Sequence, residues 1–338
     1  MTLLSVRFSY TIIRDIMIFV LDNPVWFYII LISVCIQLIG HVFRAKRTKL
    51  VIDQATLSSV KFQFSSLSIG YLFNALLPLR LGELIRALLI AKRLRISLLY
   101  TFVAIAIERM TDIIFLSILV ALGALFIGGQ LAINLVVIAI FTASTAMAVL
   151  VILLLLKQEN KYILSIISSL SHLFNTAISN SIRFKVWSLI FGLQNFFNNR
   201  KLINKYIVYT AVSWTCYFIS TFIIVIPLLS LNNVLSIIIT GVAPYIISIQ
   251  ALSPLDANSY YQLATLLPKH IINGNLDLYA KFIWAILVLP MALVGIASLL
   301  LCKIKNKGVI KAYPNSYANK LLRYEDISQE FPAFLDIP

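Results

Sequence analysis

Apolar residues run along this chain in long blocks separated by short clusters of charge, not in the one-sided periodicity of a soluble amphipathic helix. Several blocks reach the ~20 residues that a helix needs to cross a bilayer. The first clear block is 24–43, with the moderately apolar run 16–21 extending it and a kink predicted at Asp22, Asn23 and Pro24. Arg44, Lys46, Arg47 and Lys49 follow and predict a cytoplasmic C-terminal end for that helix. The next block, 62–77, breaks at Pro78 and Gly82, resumes over 83–91 and ends in Lys92, Arg93 and Arg95. Because both its flanks are basic, it reads as a re-entrant hairpin with its tip inside the membrane. Such broken backbone is tolerated at depth only where protein or a wet cavity surrounds it.

Residues 97–128 make one long tilted helix with an outer turn at Gly128 and Gly129. At 1.5 Å per residue, Glu108 falls on the order of 17 Å deep, near mid-bilayer. The block 131–156 returns, and Lys157 and Lys161 mark the cytoplasmic side again. Residues 162–205 mix apolar and polar positions and read as interfacial amphipathic helices. Blocks 206–229 and 279–302 then cross outward and back, which leaves 234–252 and 260–267 as a second broken hairpin around Ser253, Pro254, Leu255 and Asp256. It runs opposite to the first, as in an inverted-repeat transporter. The predicted fold is all-α: a polytopic membrane helical bundle with two re-entrant hairpins, formed by residues 1–302 and followed by a short cytoplasmic tail, 303–338.

Composition agrees with the pattern. Hydrophobic residues make up 60% of the 338, and mean hydropathy is +0.94. The formal charge of +15 would suggest nucleic acid in a soluble protein, but here the basic residues lie between apolar blocks, so no nucleic-acid partner is expected. Cys35, Cys216 and Cys302 read as free thiols within apolar segments, and His41, His172 and His270 are too scattered for a metal site. The N-terminus carries Arg7, Arg14 and Asp15 in its apolar stretch and does not read as a cleaved signal peptide. A P-loop pattern is lacking, and no cofactor is implied.

Candidate chemistry sits in two charged clusters, Pro78-Leu79-Arg80-Leu81-Gly82-Glu83-Leu84-Ile85-Arg86 and Glu108-Arg109-Met110-Thr111-Asp112. An ionised side chain near mid-bilayer costs roughly 3 kcal/mol on insertion scales, so these groups need partners or water. Arg80, Arg86 and Arg109 balance Glu83, Glu108 and Asp112 in sign. Glu108 and Asp112 share a helix face, and Arg109 is spaced to pair with Asp112. The hairpin tip is the expected source of a partner for Glu108. A half-helix starting at Gly82 would aim backbone N–H groups, and nearby arginines, at an anionic head group. The competing reading is a purely structural charge network that fixes the hairpin to its neighbour. Asn74 reads as a hairpin cap, and Tyr71, Tyr260 and Tyr261 as interfacial or packing aromatics. Asp256 divides evenly between function and a plain loop carboxylate.

From Asn74 through the Pro-Leu-Arg-Leu-Gly-Glu-Leu-Ile-Arg stretch to Glu-Arg-Met-Thr-Asp about 20 residues further on, the chain resembles the lysylphosphatidylglycerol synthase transmembrane region family of flippase-like proteins. The resemblance extends over roughly 26–302 and implies a domain that binds or moves polar lipids. Relatives that aminoacylate lipid carry a soluble transferase domain; the tail 303–338 is too short for one, so aminoacylation is not expected of this chain alone. Where the family shows a glycine-rich Pro-Ile-Ser stretch followed by Glu, this chain has Ile247-Ser248-Ile249-Gln250-Ala251-Leu252-Ser253-Pro254-Leu255-Asp256. Ser248 and Asp256 are therefore the candidates in the second hairpin. Loss of the glycines removes positive-φ conformations there and predicts a different shape.

The expected function is a flippase-like protein of the cell (plasma or inner) membrane that translocates a phospholipid or polyprenyl-linked glycan, with Arg80, Glu83, Arg86, Glu108, Arg109 and Asp112 around the head group. The expected partners are membrane lipids and proteins of envelope biosynthesis. Two alternatives stand beside it: a polyprenyl-phosphate-dependent membrane glycosyltransferase, for which Asp277 lies in the one sizeable outer loop, and a non-transporting scaffold of an envelope complex.

Overall fold

The computed structural model describes residues 2–77, 81–127, 137, 140–148, 193–229 and 276–304. Among these residues all regular structure is helical: α1 (Thr2–Asp22), α2 (Val25–Ile52), α3 (Val60–Leu76), α4 (Gly82–Leu94), α5 (Leu98–Ile127), α6 (Arg200–Leu229) and α7 (Leu276–Ile304), with further helical residues at 140–148 and 193–198. Three described helices are long and apolar enough to cross a membrane, over Val25–Ile52, Arg200–Pro227 and Tyr279–Leu301. Their outward faces carry exposed Phe27, Tyr28, Leu31, Leu293 and Leu300, side chains that suit hydrocarbon and not water. The chain is an all-α, multi-pass membrane protein.

The kink predicted at Asp22 to Pro24 is a full break. Pro24 lacks the N–H that would continue the ladder, so α1 and α2 are separate helices. Beyond the expected end at Phe43, α2 continues nine residues to Ile52. α3 and α4 lie on either side of the predicted break and pack against each other. Ser59 caps α3 with its hydroxyl accepting from the Phe62 N–H at 3.1 Å. At its other end α4 stops at Arg95, which takes the left-handed conformation at φ 56°. The two arms touch through Gly70 and Gly82. A Cβ on Gly82 would lie 2.0 Å from the Gly70 carbonyl oxygen and 2.6 Å from the Asn74 backbone nitrogen. Only hydrogen fits there.

Around the hairpin, α7 covers α3 at Gly295, whose absent Cβ leaves room for the Ser68 carbonyl. α1 joins α7 through an ion pair of Asp15 with Lys281 at 2.8 Å and an aromatic cluster of Phe19, Trp26 and Phe282. Among the described helices the broadest interface runs between α2 and α6, which are antiparallel: Ser33 meets Ser220 at one end and Arg47 meets Thr210 at the other. Residues 200–205, expected in an interfacial segment, instead form the first turn and a half of α6. Leu193 and Phe196, from the same expected segment, are buried in one cluster with Val51, Ile90 and Tyr100. The rest of the expected 162–205 segment, the second hairpin with Ser248 and Asp256, the tip residue Arg80 and the tail from 305 on lie outside the described residues.

Candidate functional site

The periodicity of α2 builds the site. Arg44, Arg47 and Thr48 are spaced three and four apart, so they project from one face, while Lys46 and Lys49 project from another. The inward face meets Glu108 and Asp112 of α5, themselves one helical turn apart. Arg44 bridges both carboxylates: Nε donates to Glu108 Oε1 at 2.5 Å, Nη2 donates to Asp112 Oδ2 at 2.8 Å, and Nη1 donates to the Tyr71 hydroxyl at 2.8 Å. Arg47 grips Asp112 in a two-pronged fork at 2.7 and 3.1 Å. Trp214 of α6 adds an indole N–H to Asp112 at 3.1 Å.

Arg86, from the second arm of the hairpin, reaches the same cluster more loosely. Its contacts to Glu108 are 3.4 and 3.2 Å, and its one short bond, 2.7 Å, goes to the Thr48 hydroxyl, which in turn donates to Glu108 at 2.6 Å. Thr48 therefore couples Arg86 to the carboxylate. All five charged side chains are buried. Three arginines face two carboxylates here, a surplus of one cation among the described residues. Arg47 and Arg86 each leave Nε without an acceptor, whereas Arg44 uses all three nitrogens.

One residue along α5, Arg109 turns to the other side. It pairs with Glu83 at the start of α4 and not with Asp112, because consecutive residues on a helix point about 100° apart and Arg44 and Arg47 already occupy Asp112. The spacing-based expectation of an Arg109–Asp112 pair is thus overturned. The Asn74 Oδ1 is buried beside Gly82 with no hydrogen-bond partner among the described residues.

The arrangement of α2 to α6 can be set beside known proteins. The family model described as the lysylphosphatidylglycerol synthase TM region matches residues 18–258. The chain belongs to that family. The family match takes in the whole charged network, together with Ser248 and Asp256, but stops short of α7. Comparison with curated proteins and with solved structures finds no match.

Of the predicted residues, the structure brings Arg86, Glu108 and Asp112 into one cluster and Glu83 and Arg109 into a neighbouring pair. Sequence reasoning missed Arg44, Arg47, Thr48 and Trp214. The first two were read as a cytoplasmic flank. A readable signal existed: Ser33, Gln37, His41, Arg44 and Thr48 fall at helical spacing and make a polar stripe through an apolar helix.

Proposed function

We propose that this member of the lysylphosphatidylglycerol synthase TM region family is a flippase-like protein that binds the anionic part of a polar lipid at Arg86 and moves the lipid between leaflets. One observation carries the reading: among the described residues the buried network holds one arginine more than its carboxylates balance, and the most loosely held of the three sits on the hairpin arm. Buried cations are costly without a counter-charge. A lipid phosphate supplies that charge, and the planar guanidinium with its unused Nε suits it. Arg44 and Arg47 are committed to Glu108 and Asp112 by shorter bonds, so they frame the site while Arg86 is the group free to exchange partners. Arg86 lies one turn into α4, which begins at Gly82, so motion of the hairpin arm carries Arg86 with it.

The test is leaflet exchange of fluorescent anionic, zwitterionic and polyprenyl-phosphate lipids in proteoliposomes, wild type against Arg86→Gln. Removing Arg86 leaves two arginines facing two carboxylates among the described residues, and Gln can keep a bond to Thr48, so the variant should fold with a small drop in thermal stability yet lose exchange of the anionic lipid. Exchange at the wild-type rate by a folded Arg86→Gln protein, or none by wild type with any of the lipids, would sink the reading.

A further inference from the structure

The charged network is the inner end of a longer polar feature. From Thr48 back to Ser33, α2 buries Thr48, Arg47, Arg44, His41, Gln37 and Ser33 along one face, a rise of about 22 Å at 1.5 Å per residue. α6 answers position by position. Thr210 accepts from Arg47 at 3.2 Å, and Tyr217 meets His41 Nδ1 at 2.9 Å. Ser220 meets the Ser33 hydroxyl at 2.8 Å and donates to Gln37 Oε1 at 3.4 Å. In an interface between two helices that must face lipid elsewhere, this is a continuous line of hydroxyl, amide and imidazole groups with no charge before Arg44. Packing alone does not demand it, since apolar and small residues hold membrane helices together and a single interhelical hydrogen bond contributes little. A second observation points to an unmet partner: His41, which meets α6 through Nδ1, leaves a buried Nε2 with no hydrogen-bond partner.

Resting on the lipid reading above, we propose that the α2–α6 seam parts to form the path of the head group, and that the head group carries hydroxyls beyond its phosphate. The phosphate then reaches Arg86 while neutral hydroxyls exchange bonds with Ser33, Gln37, His41 and Ser220. The hydroxyl and amide groups of the closed seam bond to one another across the interface, and in the open one they bond to water or to a polyol.

Two measurements on one cysteine-free background, with Cys35, Cys216 and Cys302 replaced, test the path. In the first, Gln37→Cys and, as an apolar control, Ile90→Cys are exposed to a charged thiol reagent in proteoliposomes. A seam that opens to water labels at 37 and not at 90. In the second, Phe43→Cys with Tyr209→Cys, whose rings lie 5.9 Å apart across the same two helices, is joined by a reducible bifunctional thiol reagent. The locked protein should lose exchange of fluorescent phosphatidylinositol and regain it on reduction, and the cysteine-free parent should move phosphatidylinositol several-fold faster than phosphatidylethanol, which has the same charge and no free hydroxyls. A dry position 37, exchange that survives the lock, or equal rates for the two lipids overturns the path while leaving lipid transport standing. Labelling at 37 with no exchange of either lipid overturns the lipid reading itself and the path with it.

Discussion

Two sets of arginine–carboxylate contacts sit one residue apart on α5 and differ in kind. Glu108 and Asp112 lie among Arg44, Arg47 and Arg86 with side chains 1–5% exposed, whereas the Arg109 and Glu83 side chains keep 23% and 17% of their surface. The first set is multiply bonded, and each carboxylate answers to at least two arginines. The second is a single pair joining the hairpin to α5. From composition the two are the same chemistry. Burial separates them: a charge inside must be answered by charge or a dense set of hydrogen bonds, while a partly exposed one is relieved by water or head groups. On the lipid reading proposed above, the inner set is where a phosphate replaces a partner, and the outer set is a tether.

The largest expected effect comes from breaking the inner set. Glu108→Ala strands three buried arginines with one carboxylate and should cost about 3–5 kcal/mol, seen as loss of the monodisperse folded protein or a large drop in unfolding temperature in detergent. Adding Arg86→Met to Glu108→Ala should restore part of the loss, because the two positions share one network. A Glu108→Ala protein as stable as wild type would mean that the network is not the folded state's charge core.

That core was half legible in the sequence. The hairpin, its break between Leu77 and Gly82, and the extent of α5 follow from block length, Pro78, Gly82 and flanking charge, all local signals. The partners of Glu108 were not, because Arg44 and Arg47 look like an ordinary basic flank until helix phase is applied. Lys46 and Lys49 do behave as a flank: Lys46 lies 4.6 Å over the Phe43 ring, and Lys49 pairs with Asp53. Counting charges along a chain treats the four residues alike, whereas the 100° step between neighbours sends two inward and two outward. Pairing across helices also depends on which face each helix presents, which is why Arg109 found Glu83 and not Asp112.

The hairpin sets how closely Arg86 approaches the inner set, so the next effect belongs to Gly82. Gly82→Ala drives a methyl into the Gly70 carbonyl and the Asn74 backbone, neither of which is a flexible side-chain end. Overpacking of this kind should cost about 1–3 kcal/mol. It should also push α4 away from α3, so spin labels on the two arms would report a longer distance than in wild type. An unchanged distance with unchanged stability would show that the arms are not held by this contact. A smaller loss is expected along the seam. Tyr217→Phe removes the hydroxyl from His41 Nδ1 and should lower stability by about 0.5–1.5 kcal/mol without unfolding the protein.

The smallest effect tests the tether. Glu83→Gln keeps the size of the side chain and can still accept one hydrogen bond from Arg109, whose charge is partly exposed. The expected loss is about 0–1 kcal/mol, within the range of exposed pairs, and it should shrink as salt is raised. Chemical unfolding of Glu83→Gln beside Glu108→Ala in the same detergent measures both sets on one scale. A Glu83→Gln loss as large as that of Glu108→Ala would erase the distinction, because it would mean that Arg109 is as dependent on its single carboxylate as the inner arginines are on theirs. A small, salt-sensitive loss would place the cooperative part of the network at Arg44, Arg47, Glu108 and Asp112. Arg86 would then be the member whose partner a lipid can take.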